Sequence, residues 1–297
     1  MPLTEKNLEN TNENFQKAVL VTGSSSGIGY TIATYLAKKE FKVFATVRKK
    51  KDVDKLSNLH LPNLIPTYPL DLTNLNHIKG IHEFVDKKLV ELKINGLFAI
   101  INSAGGGSIT PIELLDLQKF HIELQTRVLG PVALVQSFLP LIRKAKGRIL
   151  WIATPALLPS PYLTDIHACD FAVNFISRTL RIELMPWNIP SILIRCGGIK
   201  TTSPQKTYHI LEENIKNWPK NIYELYADSL TKVRRELEEF DKKRTPPEKV
   251  AKVIYEALTS KKPKRRYRVG YMSGFAAFFE LFPQTIVDYV LEKKWPK

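Results

Sequence analysis

Apolar and polar positions along the chain follow two alternating patterns. Short apolar runs rich in β-branched residues predict buried strands, and longer segments with apolar residues three or four positions apart predict helices. Strands are expected at residues 18–21, 41–47, 63–70, 96–101, 148–154, 191–195 and 267–270, and helices at 28–36, 78–92, 114–141, 168–184 and 246–258. The long helix at 114–141 is expected to have an irregularity at Gly130-Pro131. This alternation favours an α/β fold: a doubly wound parallel sheet of about seven strands with helices on both faces.

Three segments lie outside this alternation. Residues 1–15 are polar and rich in Asn and Glu, which predicts a flexible tail ahead of a single domain at 16–297. Residues 202–244 are charged and helical and follow the sixth strand, at the sheet edge where ligands bind in such folds, so we expect a helical substrate lid. Residues 271–297 form an aromatic and basic segment, for which we expect packing against the core or lid, with a partner or a membrane interface as alternatives.

The charge balance and the cysteine count narrow the class of protein. The formal net charge is +15, and basic residues cluster at 242–244 and 261–268. This pattern predicts a solvated basic face, with an anionic membrane surface as the alternative, and no nucleic-acid module is recognisable. Cys169 and Cys196 have no metal-ligand spacing around them, so we expect two buried thiols, no metal and a cytoplasmic location, with peripheral membrane association as the alternative.

A glycine-rich turn joins the first strand to the first helix. The sequence from Thr22 to Gly29 reads Thr-Gly-Ser-Ser-Ser-Gly-Ile-Gly. Glycines in this position let backbone N–H groups approach a pyrophosphate, and the following helix N-terminus adds a partial positive charge. The turn therefore predicts a dinucleotide site at the first strand–helix junction.

The residue that ends the second strand indicates which dinucleotide binds. In this class of fold an acidic residue there binds the 2′-hydroxyl of NAD, whereas an arginine accommodates the 2′-phosphate of NADP. Arg48 occupies this position and is followed by three lysines. We therefore expect NADP(H) as the cofactor, with NAD as the less favoured alternative.

Taken together, these motifs resemble the short-chain dehydrogenase/reductase superfamily over nearly all of residues 15–290. The turn at 22–29 matches its TGxxxGxG motif, Asp71-Leu72 its adenine-contacting strand end, and residues 102–105 its NNAG motif with one change, while residues 180–189 resemble its steroid- and retinol-dehydrogenase-like branch. The resemblance implies a Rossmann fold and a homo-oligomer formed through the long helix and its neighbour. It also implies cofactor contacts at Gly23, Ser25, Ser26, Gly27, Ile28, Gly29, Arg48, Asp71, Leu72, Asn102, Ala104, Gly105, Gly197, Ile199 and Thr201.

The catalytic positions depart from the family pattern, which has an asparagine, a serine, a tyrosine and a lysine four positions after the tyrosine. The asparagine position holds Arg127 and the serine position Thr154. Counting back from the end of the next helix puts Ile166 at the tyrosine position and Asp170 at the lysine position. Counting forward from the serine position puts His167 at the tyrosine position instead. Neither register supplies a tyrosine–lysine pair.

Two groups offer substitutes for the missing pair. His167 is a candidate proton donor because the ordinary pKa of histidine lies near neutrality, and Asp165 or Asp170 could orient it. Arg127 is either an anion-binding group or an ion-pair partner of Asp170 that closes the old active site. Tyr162 and Cys169 are weaker catalytic candidates.

Three functional hypotheses follow. The first expectation is a pseudoenzyme that keeps an NADP(H)-binding cleft and acts by binding, as a sensor or assembly partner. The alternative is an atypical NADP(H)-dependent oxidoreductase acting on a lipophilic alcohol or carbonyl, with His167 and Thr154 in the site. A third hypothesis is a scaffold that binds no nucleotide, for which a blocked cleft would be the sign.

Overall fold

Seven parallel strands form one sheet in the computed structural model, which describes residues 16–154 and 158–294. The order across the sheet is β3-β2-β1-β4-β5-β6-β7, and every neighbouring pair is parallel. The strands are β1 (Ala18–Val21), β2 (Lys42–Thr46), β3 (Leu64–Thr67), β4 (Ala99–Asn102), β5 (Arg148–Ala153), β6 (Ser191–Cys196) and β7 (Arg266–Val269). The predicted α/β fold and strand number are confirmed.

Helices connect the strands and cover both faces of the sheet. They are α1 (Gly27–Ala37), α2 (Lys50–Ser57), α3 (Leu75–Glu91), α4 (Leu117–Leu124), α5 (Gly130–Lys144), α6 (Thr164–Glu183), α7 (Ser203–Asn217), α8 (Lys220–Lys242), α9 (Glu248–Thr259), α10 (Ser273–Phe279) and α11 (Gln284–Lys294). None of the helices in the described ranges is long and apolar enough to cross a membrane.

Two hydrophobic cores lie on opposite faces of the sheet. Alternate residues of β1 divide between them, since Val19 and Val21 belong to one core while Ala18 and Leu20 belong to the other. All four residues of β1 are fully buried. A strand covered by helices on both faces needs apolar residues at every position, which is why β1 reads as an unbroken apolar run.

The long helix expected at 114–141, with an irregularity at Gly130-Pro131, is present with slightly shifted bounds. A 3-10 turn at Ile112–Leu114 comes first, and α4, a π-helical turn at Gln125–Leu129 and α5 then follow one another without a gap. Pro131 has no N–H to donate to the preceding turn, so the regular bonding pattern fails at this point. The irregular turn therefore lies directly before the pair at which the sequence predicts it.

Helices α7 and α8 form the segment expected to be a lid. They enclose a third, smaller apolar cluster, in which Leu211 and Leu230 pack with Ile109 of the loop after β4. The C-terminal helices pack elsewhere: α10 lies against β7, and Ala277 and Val287 are buried. The flexible tail predicted at 1–15 lies outside the described residues, as do 155–157 and 295–297.

Candidate active site

A cavity of about 930 Å³ opens at the carboxyl ends of five strands. It is lined by the last residues of β2, β4, β5 and β6, by the glycine-rich turn that follows β1 and by the first residues of α6 and α7. In open parallel sheets, ligands bind at this edge. The cavity is open, so the blocked cleft expected for a scaffold without a nucleotide site is not observed.

The glycine-rich turn is held by close backbone contacts. A Cβ atom on Gly29 would lie 2.4 Å from the carbonyl oxygen of Gly23, so no side chain fits there. The Thr22 hydroxyl accepts hydrogen bonds from the backbone N–H groups of Ser103 (2.9 Å) and Ala104 (3.1 Å). These bonds tie the turn to the end of β4, which places two predicted cofactor motifs on one wall of the cavity.

A basic wall lies beside the turn, formed by Arg48, Lys49, Lys51 and Lys55. The Lys55 ammonium group donates a hydrogen bond to the Ser25 carbonyl at 3.0 Å. Arg48 is exposed and lies two positions after the end of β2. The wall therefore offers concentrated positive charge at the position where the sequence predicts the 2′-phosphate of NADP.

Every predicted cofactor contact lines this cavity except Asp71. The Asp71 carboxylate instead accepts bonds from the backbone N–H of Thr73 at 3.0 Å and from its hydroxyl at 2.8 Å. Burial alone would raise the pKa of Asp71, but these bonds from Thr73 lower it on balance. The neighbouring Leu70 and Leu72 line the cavity in its place, and the roles of the other residues stay predictions.

Asn102 carries an unpartnered buried atom beside the cavity. Its side chain is 6% exposed, and its amide nitrogen donates to the Leu150 carbonyl at 3.4 Å, while Oδ1 has no partner. A buried acceptor without a donor is costly. This cavity-lining atom therefore fits a donor on a bound molecule.

Arg127 and Asp170 form the ion pair that the sequence suggested. The guanidinium Nη2 bonds Oδ1 of Asp170, and Nη1 donates to the Gly106 carbonyl at 2.9 Å. The second oxygen, Oδ2, accepts from the backbone N–H of Thr154 at 2.8 Å. Both residues line the cavity, and the expectation that the pair closes the old active site stays a prediction.

Ile166, not His167, faces the cavity at the start of α6. Ile166 lines the cavity, where a Cβ atom on Gly107 would lie 2.0 Å from its Cγ1. The Nδ1 of His167 lies 2.9 Å from the Leu158 carbonyl, and His167 is not a lining residue. The position of His167 therefore does not support its predicted role as proton donor.

The two aspartates expected to orient His167 also have other partners. Asp165 is buried, and its Oδ2 accepts from the backbone N–H and the hydroxyl of Ser108, both at 2.8 Å. Asp170 holds Arg127 and Thr154. Both carboxylates thus fix the walls of the cavity, and neither is hydrogen-bonded to the imidazole.

Glu123 is a titratable cavity residue that the sequence analysis missed. One of its oxygens accepts from the Gly106 N–H at 3.2 Å. Burial raises the pKa of Glu123 even though Arg127 lies close enough to oppose the rise. Glu123 precedes Arg127 by four positions, which is about one helical turn, and this spacing was the available signal.

The weaker catalytic candidates, Tyr162 and Cys169, do not line the cavity. Burial raises the pKa of the Cys169 thiol to about 11 and that of Cys196 to about 12, so both are protonated near neutrality. The Tyr162 hydroxyl lies 2.7 Å from the Ser229 hydroxyl of α8. No tyrosine lines the cavity among the residues described, and the described residues contain no group of three His, Cys, Asp or Glu side chains able to hold a metal ion.

The fold and this cavity define a dinucleotide-binding class of protein, and sequence comparison identifies its family. The short chain dehydrogenase family model matches residues 17–210. Mouse estradiol 17-beta-dehydrogenase 2 is 30% identical over 94% of this chain and 74% of its own length. The human 17-beta-hydroxysteroid dehydrogenase type 6 is 26% identical over 95% of this chain and 89% of its own length. The chain belongs to the short-chain dehydrogenase family, in its steroid-dehydrogenase-like branch.

Two further comparisons extend this result. The NADPH-dependent 3-dehydrocapnine reductase of Ornithobacterium rhinotracheale is 30% identical over 94% of this chain and 97% of its own length. A short-chain dehydrogenase structure from Streptomyces avermitilis superposes with a TM-score of 0.75 at 20% identity, covering 95% of this chain and 97% of the other. That structure shows the same fold.

These relatives correct the first functional expectation. They are named as dehydrogenases and reductases, and nothing in the comparisons indicates a loss of activity. The expectation of a pseudoenzyme is therefore wrong, and the oxidoreductase alternative fits the relatives better.

Proposed function

We propose that this protein is an NADP(H)-dependent oxidoreductase acting on a lipophilic alcohol or carbonyl. The observation that carries the proposal is the single cavity that joins the glycine-rich turn and basic wall to Thr154 and Glu123. Apolar side chains of Ile122, Ile166 and Ile210 line the same cavity, which suits a lipophilic substrate. The steroid-dehydrogenase names of the relatives support this substrate class.

The cofactor assignment rests on residues already in position. The turn presents backbone groups for a pyrophosphate, the basic wall presents charge for a 2′-phosphate, and Asn102 offers an unpartnered acceptor. A short-chain dehydrogenase structure from Burkholderia cenocepacia in complex with NADP has the same fold, with a TM-score of 0.70 at 18% identity, covering 93% of this chain and 97% of the other. These observations favour NADP(H) over NAD.

The chemistry divides between the cofactor and two side chains. When bound, NADP(H) would supply or accept a hydride at its nicotinamide ring. In this proposal the hydroxyl of Thr154 orients the substrate oxygen, and the hydrogen bond from the Thr154 backbone N–H to Asp170 supports it by holding that residue at the cavity. During reduction the Glu123 carboxyl group donates a proton to that oxygen as the carbon gains the hydride, and oxidation reverses both transfers.

The local charges suit Glu123 for this exchange. Its raised pKa keeps the proton available closer to neutrality, and the carboxylate left after donation is stabilised by Arg127 and by the Gly106 N–H. The side chain is only partly buried, so solvent can return the proton. In this proposal Glu123 takes the role that the sequence had assigned to His167.

Replacing Arg48 with Ala tests the cofactor preference. We expect the dissociation constant for NADPH to rise by about 10- to 100-fold, because a hydrogen bond to a charged group contributes about 1.5–3 kcal/mol. The affinity for NADH should change little, since NADH has no 2′-phosphate. Nicotinamide fluorescence titration measures both constants.

Lys50→Ala is the matched control, because Lys50 is an exposed cation two positions away that does not line the cavity. It should leave both dissociation constants unchanged. Equal losses of NADPH and NADH affinity in the Arg48 variant would contradict the assigned role. No binding of either cofactor by the unaltered protein would overturn the proposed function itself.

We also propose that the protein forms a homo-oligomer through α4–α5 and α6. Leu117 and Leu129 on the first face and Phe175 and Ile182 on the second are exposed apolar side chains, which are typical of an interface. Light scattering should give at least twice the chain mass of 33.9 kDa. The Leu129→Glu/Phe175→Glu double variant should run as a monomer, whereas a monomeric unaltered protein would contradict the proposal.

Peripheral membrane contact through the C-terminal segment is a secondary proposal. Phe275, Phe278 and Leu281 are exposed on α10 and the turn after it, and basic residues precede them at 261–268. Cosedimentation with anionic, but not neutral, phospholipid vesicles would support this contact. The cytoplasmic location stays a prediction.

A further inference from the structure

A second cavity of about 500 Å³ lies between α6, the β6–β7 edge of the sheet and the C-terminal helices α10 and α11. It shares no lining residue with the candidate active site. Its volume falls within the range of small-molecule sites. It therefore needs its own chemical explanation, independent of the proposed reaction.

The β6–β7 edge beside this cavity carries three arginines, of which Arg195 and Arg266 line the cavity. Arg195 of β6 pairs in register with Arg268 of β7. Tyr267 and Val269 point into the core on one face of the sheet, so Arg266 and Arg268 lie on the opposite face, together with Arg195. Like charges on adjacent strands repel each other, which makes this arrangement costly unless something offsets it.

Arg195 is buried, and its guanidinium group is only partly hydrogen-bonded. It is 1% exposed, and although Nη1 donates to Glu280 at 2.5 Å, its Nε atom is buried with no hydrogen-bond partner. Glu280 also faces Arg266, at 4.0 Å. The Glu280 carboxylate therefore lies between Arg195 and Arg266, while the Nε donor of Arg195 remains unpaired.

The remaining charged residues leave an excess of positive charge. Arg178 of α6 and Asp288 of α11 complete the charged lining. Desolvation and then repulsion from Arg195 lower the pKa of Arg266, and Arg178 adds to the repulsion. Three arginines against two carboxylates give the lining a net positive charge, which an anion would neutralise.

Aromatic rings form the other half of the cavity. Phe171 of α6 and Phe279 and Phe282 of the C-terminal segment all line the cavity. The Phe279 and Phe282 rings lie 6.4 Å apart, and Phe171 and Phe282 remain 39% and 41% exposed. Large apolar side chains left partly exposed beside a cavity provide favourable surface for a hydrocarbon chain.

We infer that this cavity binds a single amphiphilic anion, with a carboxylate or phosphate head on Arg178, Arg195 and Arg266 and a hydrocarbon chain along the phenylalanines. Arginine suits such heads because its planar donors match their oxygens. A small inorganic anion would leave the rings uncovered, and a neutral lipid would leave the excess charge unneutralised. A free amphiphile and a lipid within a bilayer carry the same head chemistry, so the test separates them.

Displacement of a fluorescent long-chain carboxylate such as cis-parinaric acid tests this inference on the full-length protein with saturating NADPH. Dodecanoate and dodecyl phosphate, used below their micellar concentrations, should both displace the probe. Dodecanol should be at least about tenfold weaker, and inorganic phosphate should not compete. The Arg178→Gln/Arg266→Gln double variant should weaken dodecanoate binding about 100-fold or more, because it removes two charge-assisted bonds and each costs at least about a factor of ten.

Arg235→Gln is the matched control, since Arg235 is an exposed arginine of α8 outside this cavity. It should bind the probe normally, and NADPH titration checks that every variant keeps its fold. Equal competition by dodecanol, or unchanged binding by the double variant, would overturn the inference. Binding to anionic vesicles without saturable binding of the monomeric carboxylate would also overturn it, in favour of a membrane surface.

Discussion

Replacing Glu123 with Gln is expected to slow ketone reduction by about 100-fold or more, because a positioned general acid contributes about 10²- to 10⁴-fold. Gln keeps the shape of the side chain but has no acidic proton to donate. The affinity for NADPH should not change, since the residues proposed to bind the cofactor remain. Initial rates on a panel of ketosteroids and long-chain ketones, with parallel NADPH titrations, measure both effects.

The rates of reduction and oxidation are expected to depend on pH in opposite directions. Burial raises the pKa of Glu123, and the protonated form is the donor during reduction. The reduction rate should therefore be full below that pKa and fall as the pH rises through it. Oxidation, which needs the carboxylate, should show the opposite trend.

Two variants separate catalysis from structure. Glu123→Asp keeps a carboxyl group and should retain a pH-dependent residual rate, whereas Glu123→Gln should lose the dependence. Glu236→Gln, an exposed substitution on α8, should behave like the unaltered protein. A Glu123→Gln variant with a normal rate would show that the proton comes from another group.

Replacing Asp170 with Asn is expected to lower the free energy of unfolding by about 3–5 kcal/mol, because it leaves the buried Arg127 charge without its partner. The two side chains are 15% and 3% exposed, so solvent cannot compensate for the loss. The substitution also removes the carboxylate that accepts from the Thr154 N–H. Equilibrium urea denaturation measures the change.

A double-mutant cycle identifies the source of this cost. The Arg127→Gln/Asp170→Asn variant removes both charges and should recover much of the stability lost by Asp170→Asn. The control is Glu91→Gln, which breaks the exposed Lys88–Glu91 pair and should leave the free energy of unfolding nearly unchanged. A loss in the double variant equal to the sum of the losses in Arg127→Gln and Asp170→Asn would show that the pair is not coupled.

The sheet and the dinucleotide motifs could be predicted because their signals are local. Apolar runs mark strands that are buried on both faces, and β1 shows this at every position. The glycine-rich turn follows β1 directly, and its spacing alone places it at the sheet edge. Such features need only neighbouring residues to be recognised.

The catalytic region was harder to predict because its contacts join distant parts of the chain. Ile166 and His167 are adjacent in sequence, and only the start of α6 at Thr164 decides which of them faces the cavity. Glu123 becomes a candidate through its burial and its bond to Gly106, 17 positions away. The Arg195–Glu280 pair spans 85 positions, so no local pattern could have indicated it.

The π-helical turn at Gln125–Leu129 has a consequence for evolution and for protein engineering. In a regular helix each residue advances the side-chain direction by about 100°. Removing one residue from the turn would let α4 and α5 merge into a continuous helix, and α4 would rotate by about that angle relative to α5. Glu123 would then be carried out of the cavity while Gly130 and Pro131 kept their places. A one-residue change in chain length can thus add or withdraw an acid at this site without any substitution in the residues that bind the nucleotide.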